Sequence, residues 1–163
     1  MSNDLHIRPY TPADKNAVMQ LFRLNVPAYF DDSETAHLDT YLDYKREEYF
    51  VVLQHNKIIG SGGINFEHQY TRGKISWDII HPDFQGVGVG TRLLHHRIGL
   101  CMEMKTVKTL TVRTSQLVYR FYEKQGFLLQ EVRKDYWAAG FDLYKMTRTL
   151  STQSADAVVP AGQ

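Results

Sequence analysis

The stretch QGVGVGT, residues 85–91, constrains this chain more than any other. Gly86, Gly88 and Gly90 stand between a strand-like run at 74–80 and a helix-like run at 92–105, so the backbone is bare where a helix begins. The first N–H groups of a helix have no partner within it, and the aligned peptide dipoles concentrate positive charge there. Such an end attracts phosphate oxygens. Two glycine loops are excluded on residues. A nucleotide P-loop requires a lysine and then a hydroxyl residue after its last glycine, whereas here Thr91 and Arg92 follow Gly90. A dinucleotide fingerprint requires GxGxxG and an acidic residue closing the next strand, and neither this spacing nor residues 109–114 supply them.

Lysine and arginine number 19 against 18 acidic residues in a chain of 163, a formal charge of +1 that gives no general electrostatic case for a nucleic-acid or membrane partner. With 43% hydrophobic residues the chain can bury one core, and we read a single domain over 1–150 followed by a disordered tail at 151–163. The lone cysteine, Cys101, falls in the apolar helix pattern and reads as a packed thiol, so nothing points to an oxidising compartment. No run approaches the roughly 20 apolar residues that span a bilayer, and a cytoplasmic location is expected.

Along the chain, a short strand at Leu5 to Pro9 precedes a helix announced by Thr11-Pro12-Ala13-Asp14 and carrying Val18, Leu21 and Phe22. A second helix follows Asp32-Ser33-Glu34, whose acidic cluster reads as capping or as a reception for a cationic substrate. The period then shortens to two for strands at 49–54, 58–67 and 74–80, an antiparallel meander turned by His55-Asn56-Lys57. Gly60, Gly62 and Gly63 inside the second of these imply a bulge or a bordering ligand. A helix with the stripe Leu93, Leu94, Ile98, Leu100, Cys101 and Met104 leads to a strand at 109–114. A fourth helix, striped by Leu117, Val118, Phe121 and Tyr122, stops at Gly126, and strands at 127–132 and 141–146 finish the fold. The class is α/β, a mixed and mostly antiparallel sheet of six to seven strands flanked by about four helices.

Gln85-Gly86-Val87-Gly88-Val89-Gly90, after the turn HPDFQ, resembles the acetyl-CoA signature of the GNAT superfamily of N-acetyltransferases. FYEKQGF, Phe121 to Phe127, resembles that family's tyrosine helix. The resemblance spans residues 5–150 and implies an acyltransferase that uses acetyl-CoA and no metal. By position it implies that Ile79 and Ile80 hold the pantetheine arm through their backbone. It also implies that Gln85, Gly86, Val87, Gly88, Val89, Gly90 and Thr91 hold the pyrophosphate. Ser115, seven positions before the tyrosine, stands where the family often has a pantetheine-binding asparagine, and it also reads as a helix cap.

Acetyl transfer to nitrogen requires an amine without its extra proton and a thiolate that gains one. The resemblance makes Tyr122 the acid, where spacing alone makes it a core tyrosine. The base stays open: where some family members carry glutamate this chain has Lys74, and at another such position Thr111, leaving Asp78 first, Glu67 next, and otherwise water or no dedicated base. Tyr29, Phe30, His37, Tyr41, Tyr136 and Trp137 are the residues expected near the acceptor if they are not packing. The acceptor itself is expected to be a primary amine of a small molecule, ahead of a protein N-terminus or lysine. A non-catalytic CoA-binding module and a homodimer are the remaining alternatives.

Overall fold

A computed structural model of the chain describes residues 4–150; residues 151–163, read from composition as a tail, lie outside the described residues. Seven strands form one sheet: β1 (Leu5–Pro9), β2 (Glu48–Gln54), β3 (Lys57–Glu67), β4 (Arg72–Ile80), β5 (Thr109–Thr114), β6 (Leu128–Ala138) and β7 (Phe141–Thr149). Their order is β1-β2-β3-β4-β5-β7-β6. Four α-helices flank it: α1 (Lys15–Leu24), α2 (Thr35–Thr40), α3 (Val89–Met104) and α4 (Tyr119–Lys124), with α2 running on into a π turn at Tyr41–Lys45. No helix among the described residues is long and apolar enough to cross a membrane.

Alternation along β2 shows how the sheet is covered. Tyr49 and Val51 enter a core cluster with Val18, Phe22, Leu38 and Leu42 of the first two helical segments. Phe50 and Val52 enter another with Val89 and Leu93 of α3. Successive side chains point to opposite faces, so a continuous apolar run marks a strand covered on both. Leu94 and Cys101 of α3 join Leu110, Val112, Tyr122, Phe127 and Met146 in a third cluster.

The one parallel contact decides where a site can form. β4 and β5 are registered over only three pairs, Arg72 with Thr109, Gly73 with Leu110 and Lys74 with Thr111. Beyond Lys74, β4 keeps its partner β3 while β5 keeps β7, so a gap opens between them. Within that stretch the β3–β4 register shifts between Ser61 and Gly63, and Trp77 takes a φ of 50°. A bulge there bends the strand and re-aims its side chains.

Several expected boundaries move. The last hairpin is longer, so Tyr136 and Trp137 lie within β6. α4 starts at Tyr119, with Leu117 and Val118 in the preceding turn. α3 begins at Val89, three residues earlier than the apolar stripe suggested, because glycine at 90 does not stop a helix whose first turn it occupies.

Candidate active site

The glycine stretch forms an open cradle at the start of α3. Gly86 and Gly88 have φ of 77° and 94°, and a β-carbon on either would meet no protein atom within 4 Å. Glycine is therefore favoured there by backbone conformation, and the space beside it is free. The first bond of the helix runs from the Arg92 N–H to the Gly88 carbonyl at 3.0 Å, which leaves the preceding amides to an external acceptor. A cavity of 460 Å³ runs from this cradle, lined by Ile79, Ile80, Gln85, Gly86, Gly88, Gly90 and Thr91 on one side and Phe121 and Tyr122 on the other. Among the expected cofactor residues, Val87 is 62% exposed outside this cavity and the Val89 side chain is core, so neither side chain faces it.

A brace not expected from the sequence fixes the cradle to α1. Asn25 donates from Nδ2 to the carbonyls of Leu21 at 2.9 Å and Ile80 at 3.1 Å. Gln85 donates from Nε2 to Asn25 Oδ1 at 3.0 Å and to the same Ile80 carbonyl at 3.1 Å. The Ile80 carbonyl thus has two protein donors, and the Gln85 side chain faces inward. The signal was available in Asn25, an amide closing the apolar pattern of the first helix.

Asp78 sits at the bulge, where it meets a residue that the sequence reading left out. Arg97 of α3 is fully buried and clamps the Asp78 carboxylate, Nη1 to Oδ1 at 2.6 Å and Nη2 to Oδ2 at 3.0 Å. Its Nη1 also donates to the Gly63 carbonyl at 2.8 Å and its Nε to Leu93 at 3.3 Å. Tyr122, 3% exposed, donates its hydroxyl to Asp78 Oδ2 at 2.6 Å. Burial, then the adjacent negative charge of Asp78, pushes the Tyr122 hydroxyl well above the ordinary tyrosine value. Arg97 was discoverable: Leu93, Arg97 and Cys101 fall on one helix face, and a charge inside an apolar stripe needs a buried partner. The strand glycines belong to this clamp. A β-carbon on Gly62 would lie 2.2 Å from Asp78 Oδ1 and 3.1 Å from Arg97 Nη1, so this glycine borders the ion pair.

A second cavity, of 490 Å³, also reaches Asp78 and Tyr122. Tyr29, Phe30, Tyr41, Trp77, Trp137 and Phe141 give it an aromatic lining. Asn65 anchors one wall, accepting from Tyr41 at 2.7 Å and Ser76 at 2.8 Å and donating to the Lys45 carbonyl at 2.7 Å. The two cavities share Tyr29, Phe30, Asp78, Val118 and Tyr122.

Glu67 also lines the second cavity, but at its half-exposed edge, 3.5 Å from Lys74 and 3.6 Å from Arg72. Ser115 lies on this side too, and its hydroxyl accepts from the Leu117 N–H at 3.2 Å, a local turn bond. His37 and Tyr136 line neither cavity, and Tyr136 instead accepts a bond from Arg113 at 2.5 Å. Cys101 is buried and its thiol is pushed up to about 11 by desolvation. Among the described residues no three His, Cys, Asp or Glu side chains gather as metal ligands would.

The profile of the Acetyltransferase (GNAT) family matches residues 18–127. The chain belongs to this family. The match covers most of α1, the cradle, the clamp and α4 together, and structural neighbours of this family bind CoA or, as acetyl donor, acetyl-CoA. The cradle fits that donor, because the open space above Gly86 and Gly88 and the free amides of α3 suit its pyrophosphate. Its fold is shared with the ribosomal-protein-S18-alanine N-acetyltransferase of Escherichia coli, at TM-score 0.75 and 19% identity over 94% of this chain and 99% of that one. A GNAT acetyltransferase of Elizabethkingia anophelis with acetyl-CoA bound superposes at TM-score 0.68, 22% identical over 91% and 99% of the two chains. In sequence, the cysteine-rich protein 2-binding protein of Mus musculus is 30% identical over 87 residues, 53% of this chain. The chain spans about a tenth of the length of that relative, 11%.

Proposed function

We propose that this GNAT protein moves the acetyl group of acetyl-CoA directly to a primary amine of a small molecule, with both substrates bound at once. One observation carries the reading: two cavities meet at the hydrogen-bonded pair Asp78 and Tyr122. The donor side supplies a reactive thioester and a thiolate that must leave. The other side, at 490 Å³ and walled by rings, has the dimensions of a small-molecule site.

An alkylamine is mostly protonated at neutral pH, and freeing it costs about 4 to 5 kcal/mol at 1.36 kcal/mol per pKa unit. The Tyr122 hydroxyl has a single proton, which it gives to Asp78 in this structure. It can release that proton toward the donor side only if its hydroxyl turns away from Asp78 or receives another proton in exchange. We assign Asp78 the exchange: its Oδ2 takes the proton of the amine and returns it through Tyr122, so acid and base form one path. Arg97 holds the carboxylate in place for this transfer. Glu67, paired with two cations at the rim, is suited to greeting the acceptor.

The test is free-thiol release from acetyl-CoA with a panel of primary amines, across pH. Tyr122→Phe should lower kcat by about 10²-fold or more, the range for a positioned acid. Because the Tyr122 hydroxyl lies well above its usual value, kcat/KM should climb with pH as the amine deprotonates, with no falling limb from Tyr122 below about pH 10. Tight acetyl-CoA binding without turnover of any amine, and a Tyr122→Phe variant indistinguishable from the parent, would refute the reading.

A further inference from the structure

Glu34 is the charge in the second cavity that the transfer chemistry leaves unused. It is 7% exposed and lines the cavity beside Tyr29 and Phe30. One carboxylate oxygen, Oε2, accepts the Asp31 N–H at 3.0 Å in a capping box that starts the turn before α2. Among the described residues no donor reaches Oε1 and no cation pairs with the carboxylate, and the neighbouring His37 is exposed. Burial pushes the group above the ordinary glutamate value, with the Asp31 bond opposing.

Every other charged residue on this lining is accounted for. Asp78 is clamped by Arg97, Glu67 is paired with Lys74 and Arg72, and Glu47 accepts the Phe66 N–H at 2.8 Å. Arg113 lies 5.1 Å over the Tyr136 ring and 5.6 Å over that of Trp137. Lys45 is exposed. A capping box requires only one acceptor oxygen and is met as well by glutamine as by glutamate, so capping alone does not account for a buried negative charge. A buried carboxylate costs free energy unless a cation meets it. Aromatic faces beside it favour the same partner. Trp77, forced to φ 50° at the bulge, sets its ring beside Phe30, with centroids 6.1 Å apart, on this same lining.

We infer that the acceptor of this enzyme carries a second cationic group, seated between Glu34 and the aromatic wall while its primary amine reaches Asp78, as in an α,ω-diamine. This rests on the N-acetyltransferase reading above, and it names the acceptor class for that site.

The probes are 1,3-diaminopropane to 1,6-diaminohexane against monoamines of matched length. Binding is measured calorimetrically with CoA present, and turnover by free-thiol release with acetyl-CoA. The preferred diamine should bind at least tenfold more tightly than its monoamine and show at least a tenfold advantage in kcat/KM. Glu34→Gln keeps an oxygen for Asp31 and should melt close to the parent while reducing both ratios to within twofold. Equal binding of diamine and monoamine by the parent protein overturns the inference even if both are acetylated, and so does a diamine preference that survives Glu34→Gln. A diamine preference in binding without acetylation upholds the dication site at Glu34 and overturns the catalytic reading instead.

Discussion

Arg97 has no exposed surface, yet it is the residue on which the geometry of Asp78 depends. Removing one member of a buried ion pair strands the other charge, at a typical cost of about 3 to 5 kcal/mol. Arg97→Met, which keeps length and apolar volume, should therefore lower unfolding free energy by about that amount in urea titration. A melt and titration matching the parent would mean that Asp78 finds another partner. At this scale the sequence reading reached Asp78 and Tyr122 separately and missed what joins them. Each carries its own local pattern, one a carboxylate within an apolar strand and the other a tyrosine on a helix stripe. The 2.6 Å bond between them spans 44 positions and follows from packing alone. Glu34 was read as capping or as a reception for a cation, and it is found both capping and lining a cavity.

The cradle is an element in which backbone conformation and ligand access both depend on glycine, and a test must separate them. Gly88 caps α3 at φ 94°, so a β-branched side chain there would strain the chain whatever it did to a ligand. Asparagine tolerates the left-handed region and still fills the space where a phosphate would lie. Gly88→Asn should therefore weaken acetyl-CoA binding at least tenfold in calorimetry while its melting temperature stays within a few degrees of the parent. A large loss of stability with unchanged affinity would make the glycine a structural cap alone. The cradle and the tyrosine helix were readable because their residues are contiguous, with Gly126 ending α4 at φ 91° as a C-terminal glycine does. The bulge in β4 carries no signal in its own residues: the strand glycines suggested one in β3 or a neighbouring ligand, and it is Trp77 across the ladder that bends while Gly62 makes room for the Asp78 clamp.

Over the whole molecule, periodicity gave the seven strands and their helices, but the second cavity draws on segments from Tyr29 to Phe141, so no window of sequence contains it. Its position nevertheless bears on the order of events we propose. If donor and acceptor occupy the two cavities and meet at Asp78 and Tyr122, neither must leave before the other arrives. Proximity of two bound reactants can by itself supply several kcal/mol of the barrier, on the order of 7 to 11 in the best-oriented cases. A covalent relay needs an accessible, ionised nucleophile, and Cys101 is buried, lies outside both cavities and has its thiol pushed up to about 11. Initial rates with both substrates varied should consequently give intersecting double-reciprocal lines. Protein incubated with acetyl-CoA alone should show no acetyl adduct by intact mass, and Cys101→Ala should retain turnover in proportion to its folded fraction. Parallel lines together with an adduct on Cys101 would require the thiol to leave the core during each cycle, which the close packing of α3 against β5 and β7 opposes.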